Sequence, residues 1–305
     1  MSQTEITMRK ILFTILLTLP FIFNLKAQSE TSYLDKKGNK HLCGPFDLAV
    51  LYNDSSYKVW YQKNYNEYQP KFDKTDWKEN LENTTVDIYI GTWCGDSRTW
   101  VPRFIKVWDS LGLDKNQLNF IALYNGVEKY KQGPNGEELG KKIHRVPTFI
   151  FSKNGEEIGR IVESPNTSME TDIAQIALGY PSSPNYKGAN FLLETFEKYP
   201  LDTISTYYRY FLNTVYRKIH GSGELNSLGY VLLRSNRLKE AELVFRMNTR
   251  CFPNDPNVYD SYGEVLALLE KNEDAIKQYE KVLAIKPEDE NAKEQLKVLL
   301  EKTQL

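Results

Sequence analysis

The stretch GTWCGDSRTWVP, residues 91 to 102, holds the side chains whose types and spacing best suit chemistry. Cys94 is a single thiol, and Ser97 stands three residues later, where a redox pair would place a second sulfur. A cysteine at a helix start faces the positive end of the helix dipole and unpaired backbone N–H groups, which stabilise a thiolate. Thiolate is the attacking species in exchange with disulfides. The neighbouring charges pull in opposite directions: Asp96 opposes the thiolate and Arg98 favours it. Without a second cysteine, a mixed disulfide on Cys94 must be resolved by an outside thiol or by the attacked partner itself.

Little else in the sequence competes with this motif. Cys43 and Cys251 are the other cysteines, too few for a disulfide scaffold, and both are expected as buried apolar thiols. His41, His144 and His220 are scattered without a ligand set at metal-site spacing, so no metal and no cofactor is expected. No hydrolase triad, phosphate loop or dinucleotide fingerprint is present.

Strands and helices must hold Cys94 in place, and their pattern runs from about residue 85 to 179. An apolar run at Val86 to Ile90 reads as a strand, followed by a helix from Asp96 to Leu111 and a strand at LNFIALY. A helix is expected around Glu137 to Ile143, then a hairpin turning at Asn154 and Gly155, then a helix from Ser168 to Leu178. Such alternation implies a mixed α/β sheet. Residues 28 to 84 form an N-terminal extension expected to pack on this domain. In it Tyr57, Trp60, Tyr61, Tyr65 and Tyr68 make an aromatic stripe at helical spacing, read as core.

This region resembles the thioredoxin superfamily, closest in flavour to its secreted TlpA-like branch. The matching residues are Trp93-Cys94-Gly95 at a strand end, Pro102, Val146-Pro147-Thr148, and the KNGE stretch beyond that proline. The resemblance implies a nucleophilic Cys94 at a helix start, a cis Pro147 facing it, and an extended client chain lying against Trp93, Val146 and Pro147. It implies no bound cofactor. Three departures stand out: Ser97 replaces the second cysteine and is expected to donate a hydrogen bond to the thiolate, Ile88 replaces the buried acid six residues before the cysteine, and Glu163 falls where a glycine is usual. Asp96, Arg98 and Glu163 are thus expected to tune the thiol.

After a linker at 180 to 188, residues 189 to 305 read as helical throughout. Gly229 and Gly263, Ala241 and Ala275, Phe245 and Tyr279, and Pro253 and Pro287 recur at a period of 34. These positions resemble tetratricopeptide repeats, placed at 222 to 255 and 256 to 289, with a degenerate hairpin before them and a closing helix after them. The resemblance puts Tyr230, Arg234, Glu264 and Leu268 on the concave face, where an unknown protein partner would dock. The aromatics of TYYRYFLNTVY are expected as core between the domains. The repeats offer a surface and no nucleophile except Cys251, so the reactivity of Cys94 is expected to belong to the first domain alone.

The N-terminus, MRKILFTILLTLPFIFNLKAQS, has a basic start, an apolar run and Ala27 before Gln28, the layout of a secretory signal peptide spanning residues 1 to 27. The expected location is the periplasm, with an uncleaved anchor in the inner membrane as the alternative. A formal net charge of −1 gives no electrostatic case for nucleic acid. The fold class is therefore an α/β thioredoxin-like fold followed by an all-α repeat domain. Two functions stay open: a monothiol thiol–disulfide exchange or isomerase protein that captures cysteine-containing or unfolded clients, and a non-catalytic scaffold for envelope protein–protein interaction.

Overall fold

A computed structural model describes residues 32–303; the expected leader and its cleavage site lie outside the described residues. No helix among those described is long and apolar enough to cross a membrane. The chain opens with a hairpin, β1 (Ser32–Leu34) and β2 (Lys40–Leu42), and continues through β3 (Gly44–Phe46), α1 (Ala49–Asn53), α2 (Lys58–Glu67) and a 3-10 turn at Asp76–Leu81. Next come β4 (Thr84–Ile90), α3 (Gly95–Leu111), β5 (Leu118–Ala122), β6 (Thr148–Lys153), β7 (Glu156–Val162) and α4 (Met169–Ala177).

Strands β3 to β7 form one mixed sheet in the order β3-β5-β4-β6-β7, with β4 parallel to β5 and the other pairs antiparallel. Its edge strand β3 comes from the segment before residue 85, so part of that segment belongs to the sheet itself. The central strand β4 is apolar on both faces from Ile88 to Ile90, with Asp87 before them, because both its faces are covered there. Val86, Ile88 and Ile90 meet α2, α3 and α4, while Tyr89 faces a smaller cluster with Ile121, Leu123, Ile143, Val146 and Ile150. Trp93 and Cys94 pack against that smaller cluster.

Helix α3 is amphipathic and buries Val101, Phe104, Ile105, Trp108 and Leu111. The aromatic stripe of α2 packs on it as expected: Tyr57 and Tyr61 are buried, and Tyr65 Oη donates to Asp109 at 2.7 Å. The hairpin turns where the sequence places it, with Asn154 and Gly155 at φ of 54° and 82°, the signs a two-residue type I′ turn requires.

The helix expected at Glu137 to Ile143 does not form; that stretch is a series of turns. Side chains there serve the backbone instead of facing solvent from a helix. Glu138 accepts from the Gly133 N–H at 2.8 Å and Glu137 from the Asn135 N–H at 3.0 Å, while Gly136, Gly140 and Lys142 all take positive φ. Cys43 lies between β2 and β3.

The second half is all helix: α5 (Lys187–Lys198), α6 (Leu201–Thr206), α7 (Tyr208–Tyr216), α8 (Ser222–Arg234), α9 (Leu238–Cys251), α10 (Pro256–Leu268), α11 (Asn272–Ile285) and α12 (Glu290–Thr303). Hairpins α8–α9 and α10–α11 repeat one close contact. A Cβ on Gly229 would stand 2.4 Å from the Phe245 ring, and one on Gly263 would stand 2.9 Å from Tyr279. Ala241 and Ala275 are fully buried at the same period. The aromatics from Tyr207 through α7 depart from expectation: Phe211 is core within the helical domain, with Val215 beside it, whereas Tyr207, Tyr210 and Tyr216 are all more than half exposed. Tyrosine at helical spacing can cover a helix from outside, which periodicity alone does not distinguish from core.

Contacts between the halves gather at the loop from Leu123 to Pro147. Gln132 Nε2 donates to the Arg234 carbonyl at 2.6 Å, Lys142 pairs with Glu197 at 2.8 Å, and the Arg145 guanidinium lies 4.3 Å from the Tyr186 ring centroid.

Candidate functional site

Cys94 caps the N-terminus of α3 in extended conformation, φ −87° and ψ 129°, so its side chain sits at the positive end of a seventeen-residue helix. The thiol is half-buried. Its Sγ donates to the Val146 carbonyl at 3.2 Å, and the Val146–Pro147 bond is cis. The expected trio of Cys94, Val146 and Pro147 is therefore brought together.

Trp93 is fixed by its own surroundings. Its indole N–H donates to the Leu123 carbonyl at 2.9 Å, and the ring folds over Gly91, where any Cβ would stand 2.5 Å from it. Glycine at 91 is thus a packing requirement. The exposed edge of Trp93, with Arg98, Tyr33, Leu34, Tyr124 and Val127, lines a cleft of about 1010 Å³ between the β1–β2 hairpin and the loop after β5.

The serine behaves differently from expectation. Ser97 is buried, and its Oγ accepts the Gly91 N–H at 3.1 Å; among the described residues no hydrogen bond joins it to Cys94. Arg98 is held by its Nε on the Thr92 carbonyl at 2.8 Å. Asp96 is exposed, with its carboxylate 4.0 Å from the sulfur. Ile88 is sealed in the core, so no carboxylate stands behind the thiol from that side.

Glu163 occupies a left-handed φ of 64°, the conformation that explains why glycine suits this position. Its N–H donates to the Pro147 carbonyl at 2.7 Å, and its carboxylate pairs with Arg145 at 3.3 Å. Burial raises its pKa and Arg145 opposes that.

Sequence reasoning passed over Tyr130, Lys131 and Arg145, which back this site. The Tyr130 ring packs on Trp93 with centroids 6.3 Å apart. Lys131 is 4% exposed, and its Nζ donates to the His144 carbonyl at 2.8 Å and to Ser227 Oγ at 2.9 Å. Arg145 donates to the Gly223 carbonyl at 2.9 Å. None of the three lies in a periodic element, so the sequence offers no pattern that separates Lys131 from the many surface lysines.

Cys43 and Cys251 are buried as expected, and burial pushes the Cys251 thiol up to about 11. On the helical domain, Tyr230, Arg234 and Glu264 come together and satisfy one another: Glu264 accepts from Tyr230 at 2.9 Å and from Arg234 at 2.7 Å. Leu268 is exposed on the same helix as Glu264.

No family model matches the chain. A thioredoxin of Malassezia sympodialis is 32% identical over 94 residues, which cover 31% of this chain and 82% of that protein. Thioredoxin H9 of Arabidopsis thaliana is 26% identical over 117 residues, 36% of this chain and 76% of that protein. With the mixed sheet, the cysteine at the start of α3 and the Val146–Pro147 loop facing it, this similarity shows that the chain belongs, through its N-terminal α/β domain, to the thioredoxin family.

Proposed function

We propose that this protein is a monothiol thiol–disulfide exchange protein of the cell envelope, close to the secreted TlpA-like branch, which captures clients through Cys94. The observation that carries the reading is the placement of one sulfur: half-buried at a helix N-terminus and 3.2 Å from the Val146 carbonyl, with Trp93 and Arg98 close by in sequence lining an open cleft. A client in extended conformation can lie along the Val146–Pro147 edge with its disulfide over Cys94. The Cys94 thiolate attacks one client sulfur; the new Cys94–client disulfide forms as the client S–S bond breaks, and the other client sulfur leaves as thiolate. No net oxidation occurs. An outside thiol, or the client's own freed thiolate, then attacks the mixed disulfide and returns Cys94. The second route rearranges client disulfides, the one turnover that a single cysteine supports.

The helical domain is read as a tetratricopeptide-type module that recruits a protein partner, supported by the repeated Gly–aromatic contacts at a period of 34. The leader motif supports export. A scaffold without exchange chemistry is the competing reading, favoured by the apolar Ile88 and by the serine at 97. Non-reducing electrophoresis of cells that carry the wild type or Cys94→Ser separates the two. Adducts present only with Cys94 support exchange; identical patterns in both overturn it.

A further inference from the structure

Lys131 has no part in the exchange as described, yet few positions are so costly for a lysine. A buried ammonium is strongly disfavoured unless it is paired and hydrogen-bonded. Its Nζ has two acceptors, the His144 carbonyl and Ser227 Oγ, which match the two hydrogens of a neutral amine. The face of the Tyr130 ring, with its centroid 4.5 Å away, is placed to receive the third hydrogen that protonation adds. Burial and Arg145 push the Lys131 pKa down, to about 7, while Cys94 and Glu163 push it up. The carbonyl that holds Lys131, at His144, lies two residues before the Val146 carbonyl that faces Cys94 Sγ, so the ammonium and the sulfur share one loop and opposite charges on them favour one another.

Lys131 and Arg145 both lean on the second domain. Ser227 and the Gly223 carbonyl, which hold Lys131 and Arg145, belong to α8. We propose that α8 completes the redox site: through Ser227 it holds Lys131 where its charge favours the Cys94 thiolate, and through Gly223 it holds Arg145 against Glu163, so the helical domain sets the reactivity of the sulfur as well as offering a surface. This rests on Cys94 as the nucleophile. The remaining titratable groups around the pair are Asp96 on α3, Glu163 after β7, the buried His144 before β6, and Glu224 on α8, which caps α5 and faces Arg145 and His220. When exchange converts the thiolate into a neutral mixed disulfide, Lys131 loses its anionic neighbour and releases a proton to solvent. The client's leaving thiolate carries the negative charge away, so charge balances.

The test is alkylation of Cys94 by iodoacetamide in the full-length protein, followed by intact mass from mildly acidic to mildly alkaline pH, with Cys94→Ser as the blank. Lys131→Met is expected to slow alkylation at neutral pH by about threefold to tenfold and to move the pH profile upward, because an opposite charge shifts a neighbour by about one unit or more. Lys131→Arg, which keeps the charge, restores most of the rate, and Ser227→Ala gives a smaller shift in the same direction. Thermal unfolding checks that each variant folds; should Lys131→Met fail to fold, Ser227→Ala carries the test alone. Unchanged profiles in the folded variants overturn the inference and leave Cys94 as a nucleophile. Wild-type Cys94 that resists alkylation at every pH strikes the proposed function instead.

Discussion

At the scale of single residues, the proposed reactivity of the thiol turns on Glu163 and Lys131. Glu163 holds a left-handed φ and presents a carboxylate on the side of the site that also carries Asp96. Glycine adopts that φ without steric cost, whereas other L-residues there give up about 1 kcal/mol. Glu163→Gly should therefore keep the fold and raise the rate of Cys94 alkylation at neutral pH; a slower thiol in that variant would show that Glu163 acts through Arg145 rather than as a repelling charge. Lys131 also makes a statement about stability. Its folded pKa of about 7 lies below the ordinary lysine value of 10.5, so between these values the unfolded chain binds more protons than the folded one. Stability relative to Lys131→Met should rise with pH across that window, measured by urea unfolding on either side of it. A flat difference would mean that Lys131 stays charged when buried.

At the scale of elements, two close contacts carry specific expectations. Gly229 lets α8 approach α9, and Gly229→Leu drives a side chain into the Phe245 ring; overpacking of this kind costs about 1–3 kcal/mol, visible as a lower midpoint of thermal unfolding. The Glu224 carboxylate accepts from the Gly188 and Ala189 N–H groups at 2.8 and 2.9 Å, the first turn of α5. Glu224→Ala should cost about 1–2 kcal/mol, as loss of a helix cap does. These contacts also show what a sequence exposes and what it hides. Gly229 and Gly263, Trp93-Cys94, Val146-Pro147 and Asn154-Gly155 are legible because a repeat period, a helix start or a turn type demands a residue at a fixed offset. Tyr130, Lys131 and Arg145 are not, because their loop is shaped by Glu137 and Glu138 bending back onto backbone N–H groups, a choice that depends on tertiary surroundings. The exposed tyrosines at the start of α7 and along it were unreadable for a related reason: spacing marks a face, and only the fold says whether that face is covered.

At the scale of the molecule, the two halves meet behind the thiol, and acid should test that junction. His144 is fully buried between them, and its pKa is held down to about 3 by burial. The unfolded chain takes up a proton near the ordinary value of 6.5 that the folded chain refuses, so stability is present above that value and is lost progressively as pH falls below it. His144→Gln should blunt that loss in unfolding experiments at mildly acidic pH. Ser97→Cys should turn adduct formation into net dithiol exchange with catalytic reduction of insulin, since a second sulfur at that position can attack the mixed disulfide from within the motif. The proposed function depends on one event, the formation of a covalent bond between Cys94 and a client. The most direct measurement is intact mass spectrometry of the purified full-length protein after reaction with a disulfide-bonded peptide and an acid quench. The account predicts one peptide added to the wild type through a bond that reductant reverses, and none added to Cys94→Ser. Wild type that stays unmodified, or an adduct that persists in Cys94→Ser, would contradict it.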